Sequence, residues 1–299
     1  MQKTLLVVGL LLILALESGL GWSQSADPNG AAGRDNTEPP GVRFSLPLRL
    51  YRGYLIVVDG SIGNLQKLNF LVDTGAYPTV VDQRISHGLA LVEKAATAGL
   101  STQRLQTKST VLPSLRVGPI RVESLGVLTQ DLSFLEKALG CRVDALVGMD
   151  VLAKTSFSID YQSRQVLFGP IQDERFSVPF ESGLQFMIVK MILQNRQVRL
   201  LIDTGDPAVM LFQSLLHDSK GLQDSGNETG TNLAGQFQRK RVRVAEVGLG
   251  KEKLGPQTVF IVNDAKDTGR DFDGVLGPRG LQFREIAFDF EHQRFSWKR

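Results

Sequence analysis

The feature that most limits what this 299-residue chain can fold into is that one pattern occurs in it twice. Three blocks recur in the same order. FLVDTGAYPTVV (70–81) is matched by LLIDTGDPAVML (200–211), VDALVGMDVL (143–152) by FDGVLGPRGL (272–281), and FSIDYQSRQVLFG (157–169) by IAFDFEHQRFSWK (286–298). Asp73 and Asp203 lie 130 residues apart, whereas Asp144 and Asp273, Asp160 and Asp289, and Pro78 and Pro207 lie 129 apart. The simplest alignment therefore drops one residue just after Gly205. A period this long exceeds the roughly 20–50 residues of solenoid repeats. It approaches the size of one small domain. The chain reads as two copies of one unit, 43–172 and 173–299.

The unit is mainly β. RFSLPLRL places Phe44, Leu46, Leu48 and Leu50 on one face with a period of two. Further runs rich in Val, Ile and Phe, among them YLIVVD, LNFLVD, FMIVKMIL, VRLLID and TVFIV, are punctuated by Gly, Asn, Asp and Pro. Helical signals are short: Asp131 is placed to cap a helix through Leu139 that buries Leu132, Leu135 and Leu139, with a turn or two of helix expected at 82–89 and 212–219. VGLGKEKLG (247–255) reads as a hairpin turn, because Lys253 stands where a dinucleotide-binding loop needs its last glycine.

The N-terminus differs in kind. A short positive start, MQK, precedes the apolar TLLVVGLLLILAL and a small-residue exit, ESGLGWSQSA. That order predicts a signal peptide over 1–25, with cleavage after Gly21 or Ser25. The apolar run is short for a span of ~20 residues. Polar, Gly- and Pro-rich residues follow as a flexible leader or pro-segment, 26–42. The expected product is an exported protein, periplasmic or secreted, without stable membrane insertion after signal removal. The single cysteine, Cys141, permits no internal disulfide and reads as a buried inert thiol. The net charge of +3 carries one dense basic cluster, RKRVR at 239–243. Its alternation of Arg241, Val242, Arg243 and Val244 predicts a strand with a solvated outer face rather than a nucleic-acid surface. His87, His217 and His292 have no metal-ligand spacing, and no GxSxG turn occurs. No metal and no cofactor is expected.

The remaining chemistry lies in the repeated blocks. In each, apolar residues lead into Asp-Thr-Gly and then resume, which sets a carboxylate at the end of a buried strand. Burying one carboxylate is costly unless it is paired or neutralised. Burying two as partners makes one keep a proton while the other ionises. Threonine suits a strand and carries a hydroxyl, and glycine lets two loops approach closely. About 70 residues later each copy has an apolar pair and a glycine, Leu146-Val147-Gly148 and Val275-Leu276-Gly277. A third Asp-Thr-Gly, at 267–269, lacks the apolar approach.

With both motifs in each half, the chain resembles the aspartic protease superfamily, nearest to a retropepsin-like unit duplicated in one chain as in the two-lobed pepsin-like enzymes. The resemblance runs from Arg43 to Arg299. It implies two β-barrel lobes related by a pseudo-twofold, with the active cleft between them. Asp73 and Asp203 would form the catalytic dyad of an endopeptidase. Thr74 and Thr204 would bond the two loops together, and Gly75 and Gly205 would shape them. Ala76 fits the small residue that follows, while Gly148 and Gly277 would lie beneath the loops. Asp206 departs from the pattern: it either adds a like charge to the dyad or turns outward. Mobile hairpins are expected near 97–112 and 225–240. Asp150, Asp160 and Asp289 are assigned turn and backbone bonds. A monomer acting on a peptide or unfolded protein is implied, and the competing reading is a catalytically silent module that holds extended peptides by strand-like contacts.

Overall fold

The computed structural model describes residues 7–8, 12–13, 43–100, 104–172, 176–181, 185–215, 223–263 and 271–299. The expected leader 26–42, the third Asp-Thr-Gly and most of the expected signal peptide 1–25 lie outside the described residues. So does most of the 212–219 segment, of which a single 3-10 turn, Gln213–Leu215, is described.

The described chain is mainly β, arranged in two sheets, and the same pairing scheme occurs in each half. In the first, the hairpin Leu55–Ile62 and Leu65–Val72 carries the apolar run up to Asp73. Strand Ala145–Val147 lies parallel beside it, pairing Ala145 with Phe70, and Val80–Asp82 packs antiparallel on its other side. In the second, the hairpin Ile188–Leu193 and Arg196–Ile202 leads to Asp203. Gly274–Leu276 is parallel to it, pairing Gly274 with Leu200, and Val209–Phe212 is antiparallel to that strand. Each central strand is covered on both faces, so its residues read as an unbroken apolar run rather than an alternating one.

The repeated aspartates lock these layers. Asp144 accepts from the Asn69 N–H at 2.9 Å and Asp273 from the Arg199 N–H at 2.7 Å. Asp160 caps its hairpin by accepting from Gln162 and Ser163, and Asp289 accepts from the His292 N–H. Asp150 holds the Thr79 N–H and hydroxyl. These are the turn and backbone roles expected of Asp150, Asp160 and Asp289.

The halves also share a sheet. Phe157–Asp160 pairs antiparallel with Glu285–Asp289, so a strand from each half lies beside the other. Phe157 packs against Phe288 at a tilt, with ring centroids 4.7 Å apart, and Phe283, Phe295 and Trp297 extend that aromatic layer. The wholly buried Trp297 satisfies its ring N–H by donating to Glu252 Oε2 at 2.6 Å.

Short helices occur as expected at Gln83–Gly88, where Asp82 accepts from the Arg84 N–H, and at Ser133–Leu139, where Asp131 accepts from the Ser133 N–H. Leu132 and Leu135 are buried; Leu139 is only half-buried, because Ala138 takes the inner position. Val247–Leu249 and Glu252–Lys253 form the expected hairpin. Two further expectations fail. Cys141 is half-buried rather than buried, lying where the chain leaves that helix. In the basic cluster Arg241 and Arg243 are exposed, but Arg239 is buried, because the same strand face becomes covered further along. No helix among the described residues is long and apolar enough to cross a membrane.

Candidate active site

Both Asp-Thr-Gly segments continue a buried strand by one residue. The Asp73 N–H donates to the Val147 carbonyl and the Asp203 N–H to the Leu276 carbonyl, each at 3.0 Å. The chain then turns back, and each glycine N–H donates to its own aspartate: Gly75 to Asp73 Oδ1 at 2.9 Å, Gly205 to Asp203 Oδ1 at 2.6 Å.

The threonines join the two turns reciprocally. The Thr74 N–H donates to Thr204 Oγ1 at 3.1 Å, and the Thr204 N–H to Thr74 Oγ1 at 3.0 Å. Each hydroxyl donates onward across the junction, Thr74 to the Ile202 carbonyl and Thr204 to the Val72 carbonyl, both at 2.8 Å. Four buried bonds thus hold two segments far apart in sequence. Thr204→Val keeps the shape but leaves the Thr74 N–H and the Val72 carbonyl without partners. At about 1–3 kcal/mol for each orphaned group, the substitution is expected to cost roughly 2–6 kcal/mol, read from urea unfolding. A cost below that of an ordinary surface change would refute the lock.

The junction brings the carboxylates together. The point where a Gly205 Cβ would stand lies 3.0 Å from Asp203 Oδ1 and 3.1 Å from Asp73 Oδ1. A Cβ on Gly75 would lie 2.4 Å from Asp203 Cγ, so only glycine admits this approach. Gly148 and Gly277 pass beneath the turns as expected: a Cβ on either would meet the Ala76 carbonyl oxygen at 2.5 Å or that of Asp206 at 2.3 Å. Those contacts also show that Asp206 stands in the second half where Ala76 stands in the first. Their N–H groups confirm it, Ala76 donating to the Asp73 carbonyl and Asp206 to that of Asp203. The missing residue therefore corresponds to Tyr77 and falls after Asp206, not directly after Gly205.

Asp206 does not turn outward. It is as buried as Asp73 and Asp203, its Oδ1 accepting from the Ala208 N–H at 3.1 Å. The Oδ2 atoms of Asp73, Asp203 and Asp206 are all buried without a hydrogen-bond partner. Burial pushes Asp73 up to about 7, with the Gly75 N–H pulling the other way. Asp203 is held well above the ordinary carboxylate range by burial and by the charge of Asp73. Asp206 is pushed up to about 7 by burial and by Asp203, against the pull of Arg239. A proton is therefore retained between the paired groups into the neutral range.

Each half also carries a long hairpin: Lys94–Leu100 with Arg104–Val117, and Gln223–Asn232 with Gly235–Val244. They cover the stretches expected to be mobile hairpins. At the tip of the second, Leu233 is buried in an apolar cluster whose other fully buried members, including Tyr54, Leu100 and Leu135, all belong to the first half. Sequence reasoning passed over Leu233 and Arg239. Nothing local marks either one, since their burial comes from the other half or from neighbouring strands. No group of metal-ligating side chains occurs among the described residues.

Residues 58–151 match the family model described as aspartyl protease, a segment that includes Asp73, Thr74, Gly75 and Gly148. This match supports a relationship to aspartic proteases and, at that coarse level, a peptide-hydrolysing chemistry. No curated protein matches the chain significantly.

Proposed function

We propose that the chain is an exported aspartic endopeptidase in which Asp73 and Asp203 together activate a water molecule. The observation that carries this reading is the threonine-locked junction, which holds two buried carboxylates with a free oxygen each at matched positions of the two halves. One carboxylate is ionised and takes a proton from the water as it attacks a peptide carbonyl. The protonated partner donates to the developing oxyanion, and a proton then passes to the leaving amine. The recurring strand scheme supports a duplicated, two-lobed arrangement with a pseudo-twofold near the junction and a substrate cleft between the lobes. On this reading the two hairpins would move to admit an extended peptide.

A specific observation favours a second reading. Asp206 adds a third buried carboxylate where the family has a small residue, and a centre silenced by it would still hold peptides. The two readings separate on a peptide whose scissile carbonyl is replaced by a secondary alcohol. An enzyme complementary to the tetrahedral state should bind that analogue at least about a hundredfold more tightly than the parent peptide. Equal affinities in calorimetry would favour the silent module. Export rests on the charged, apolar and small-residue order of 1–25. A mature N-terminus at Trp22 or Ala26 is the expected result, and a chain retaining Met1 after export would refute it.

A further inference from the structure

We propose that the cavity lined by Tyr161, Gln162, Arg279 and Arg284, where the two halves meet, is a binding site for one small oxyanion, a phosphate or carboxylate group.

The cavity has a volume of about 360 Å³. A water molecule takes about 30 Å³ of the liquid, so one such group fits with part of its hydration shell. Tyr161 and Gln162 belong to the first half, on the turn that Asp160 caps, while Arg279 and Arg284 belong to the second. Backbone bonds fix this meeting. The Tyr161 N–H donates to the Arg284 carbonyl and the Arg284 N–H to that of Lys298, each at 2.9 Å. Arg279 lies in the 3-10 turn Pro278–Leu281, which follows Gly277. Its guanidinium is held across the junction. Nε donates to the Gly53 carbonyl at 2.9 Å and Nη1 to the Phe283 carbonyl at 2.6 Å, and Cζ stands 4.7 Å from the centroid of the Tyr161 ring.

Charge decides what this space would take. Arg279 is held by neutral groups alone, two carbonyls and an aromatic face, which orient the guanidinium without neutralising it. Further N–H donors of its fork stay open. Arg284 is exposed, and its side chain has no hydrogen-bond or ion-pair partner among the described residues. None of the four lining side chains is acidic. The carboxylates next to them in sequence are already engaged. Asp160 accepts from the Gln162 and Ser163 N–H groups, and Glu285 from Lys298 Nζ at 2.8 Å. The buried Tyr161 hydroxyl has no partner either. A clamp between the halves would explain Arg279, but it leaves a second like charge on the same cavity uncompensated. Two guanidinium forks on one bounded space match an oxyanion, which can accept paired N–H bonds from each.

The test is urea unfolding of the full chain with inorganic phosphate replacing chloride at constant pH and ionic strength, a readout that needs no peptide cleavage. An anion that binds only the folded state stabilises it by mass action, so the folding constant should rise about tenfold at free phosphate about ten times its Kd. Phosphate also strengthens burial in general, but all variants share that effect, so the difference between them is what counts. Arg284→Gln removes a side chain with no internal bond. It should fold as the parent does and lose most of the specific gain. Arg279→Gln should lose it too, whereas Arg243→Gln, in the exposed basic cluster, should keep it. N-acetylglycine and its uncharged amide identify the source of the group. Protection by phosphate alone supports a free ion, and protection by N-acetylglycine but not by the amide supports the carboxylate end of a peptide. Protection by neither oxyanion, by the amide as much as the acid, or equally in Arg284→Gln and the parent would overturn the proposal. If Arg279→Gln does not fold, Arg284→Gln decides alone.

Discussion

Stability is expected to fall as pH rises from about 4.5 to 8, the opposite of the trend set by surface carboxylates in ion pairs. Asp73 and Asp206 are pushed up to about 7 and Asp203 is held well above its ordinary range, in each case chiefly by burial. In the unfolded chain all three ionise near the ordinary value of about 3.9. Between those limits the folded state binds protons that the unfolded state has released, so folding is favoured at low pH and the advantage is lost through about 7. One group displaced by about three units is worth roughly 4 kcal/mol across that window, at about 1.4 kcal/mol per unit. The surface works the other way at lower pH. Glu93 is held down at about 2 by Lys108 and Ser86, and its contribution is lost only as pH falls through that region. The unfolding midpoint in urea should therefore be highest near pH 4–5 and fall toward pH 8. A midpoint that is flat or rising over that range would show that the three carboxylates ionise as freely in the folded protein as outside it.

Asp203→Asn should separate activity from stability. Asparagine can neither take the proton from an attacking water nor hold the charge its partner needs. Cleavage of a peptide substrate is expected to fall at least a thousandfold, about 4 kcal/mol of barrier. Asp73→Asn should do the same, since the two act as one unit and neither holds a private proton. The same substitutions remove a buried ionisable group, so at pH 8 both variants should unfold at higher urea than the parent. A variant that loses activity by unfolding would show the reverse.

Much of the centre was legible because it is written in short local patterns. An apolar run into Asp-Thr-Gly gives a buried strand ending in a carboxylate, and the structure joins the two such ends through Thr74 and Thr204. The flanking hairpins and the turn roles of Asp160 and Asp289 follow equally from local alternation and turn chemistry. What was not legible depends on what lies over a strand. Arg239, Arg241 and Arg243 alternate as one solvent face would, but the face is open at Arg243 and closed at Arg239, over Phe260. Leu233 is buried by residues of the other half. The position of the deletion was off by one for a related reason: pairing of letters cannot see that Gly277 lies against the Asp206 carbonyl as Gly148 lies against that of Ala76. Asp206 itself was visible as a departure, but its inward direction was not.

The central claim, two buried aspartates that act together on a water, is tested most directly by digestion of an unfolded protein in ¹⁸O-enriched water. The parent and the Asp73→Asn/Asp203→Asn double variant would be run from pH 3 to pH 8, with new peptide ends read by mass spectrometry. The account predicts new C-termini carrying the water label, produced by the parent and not by the folded double variant. Cutting that persists in the double variant, or a folded parent that produces no new ends across this range, would contradict it.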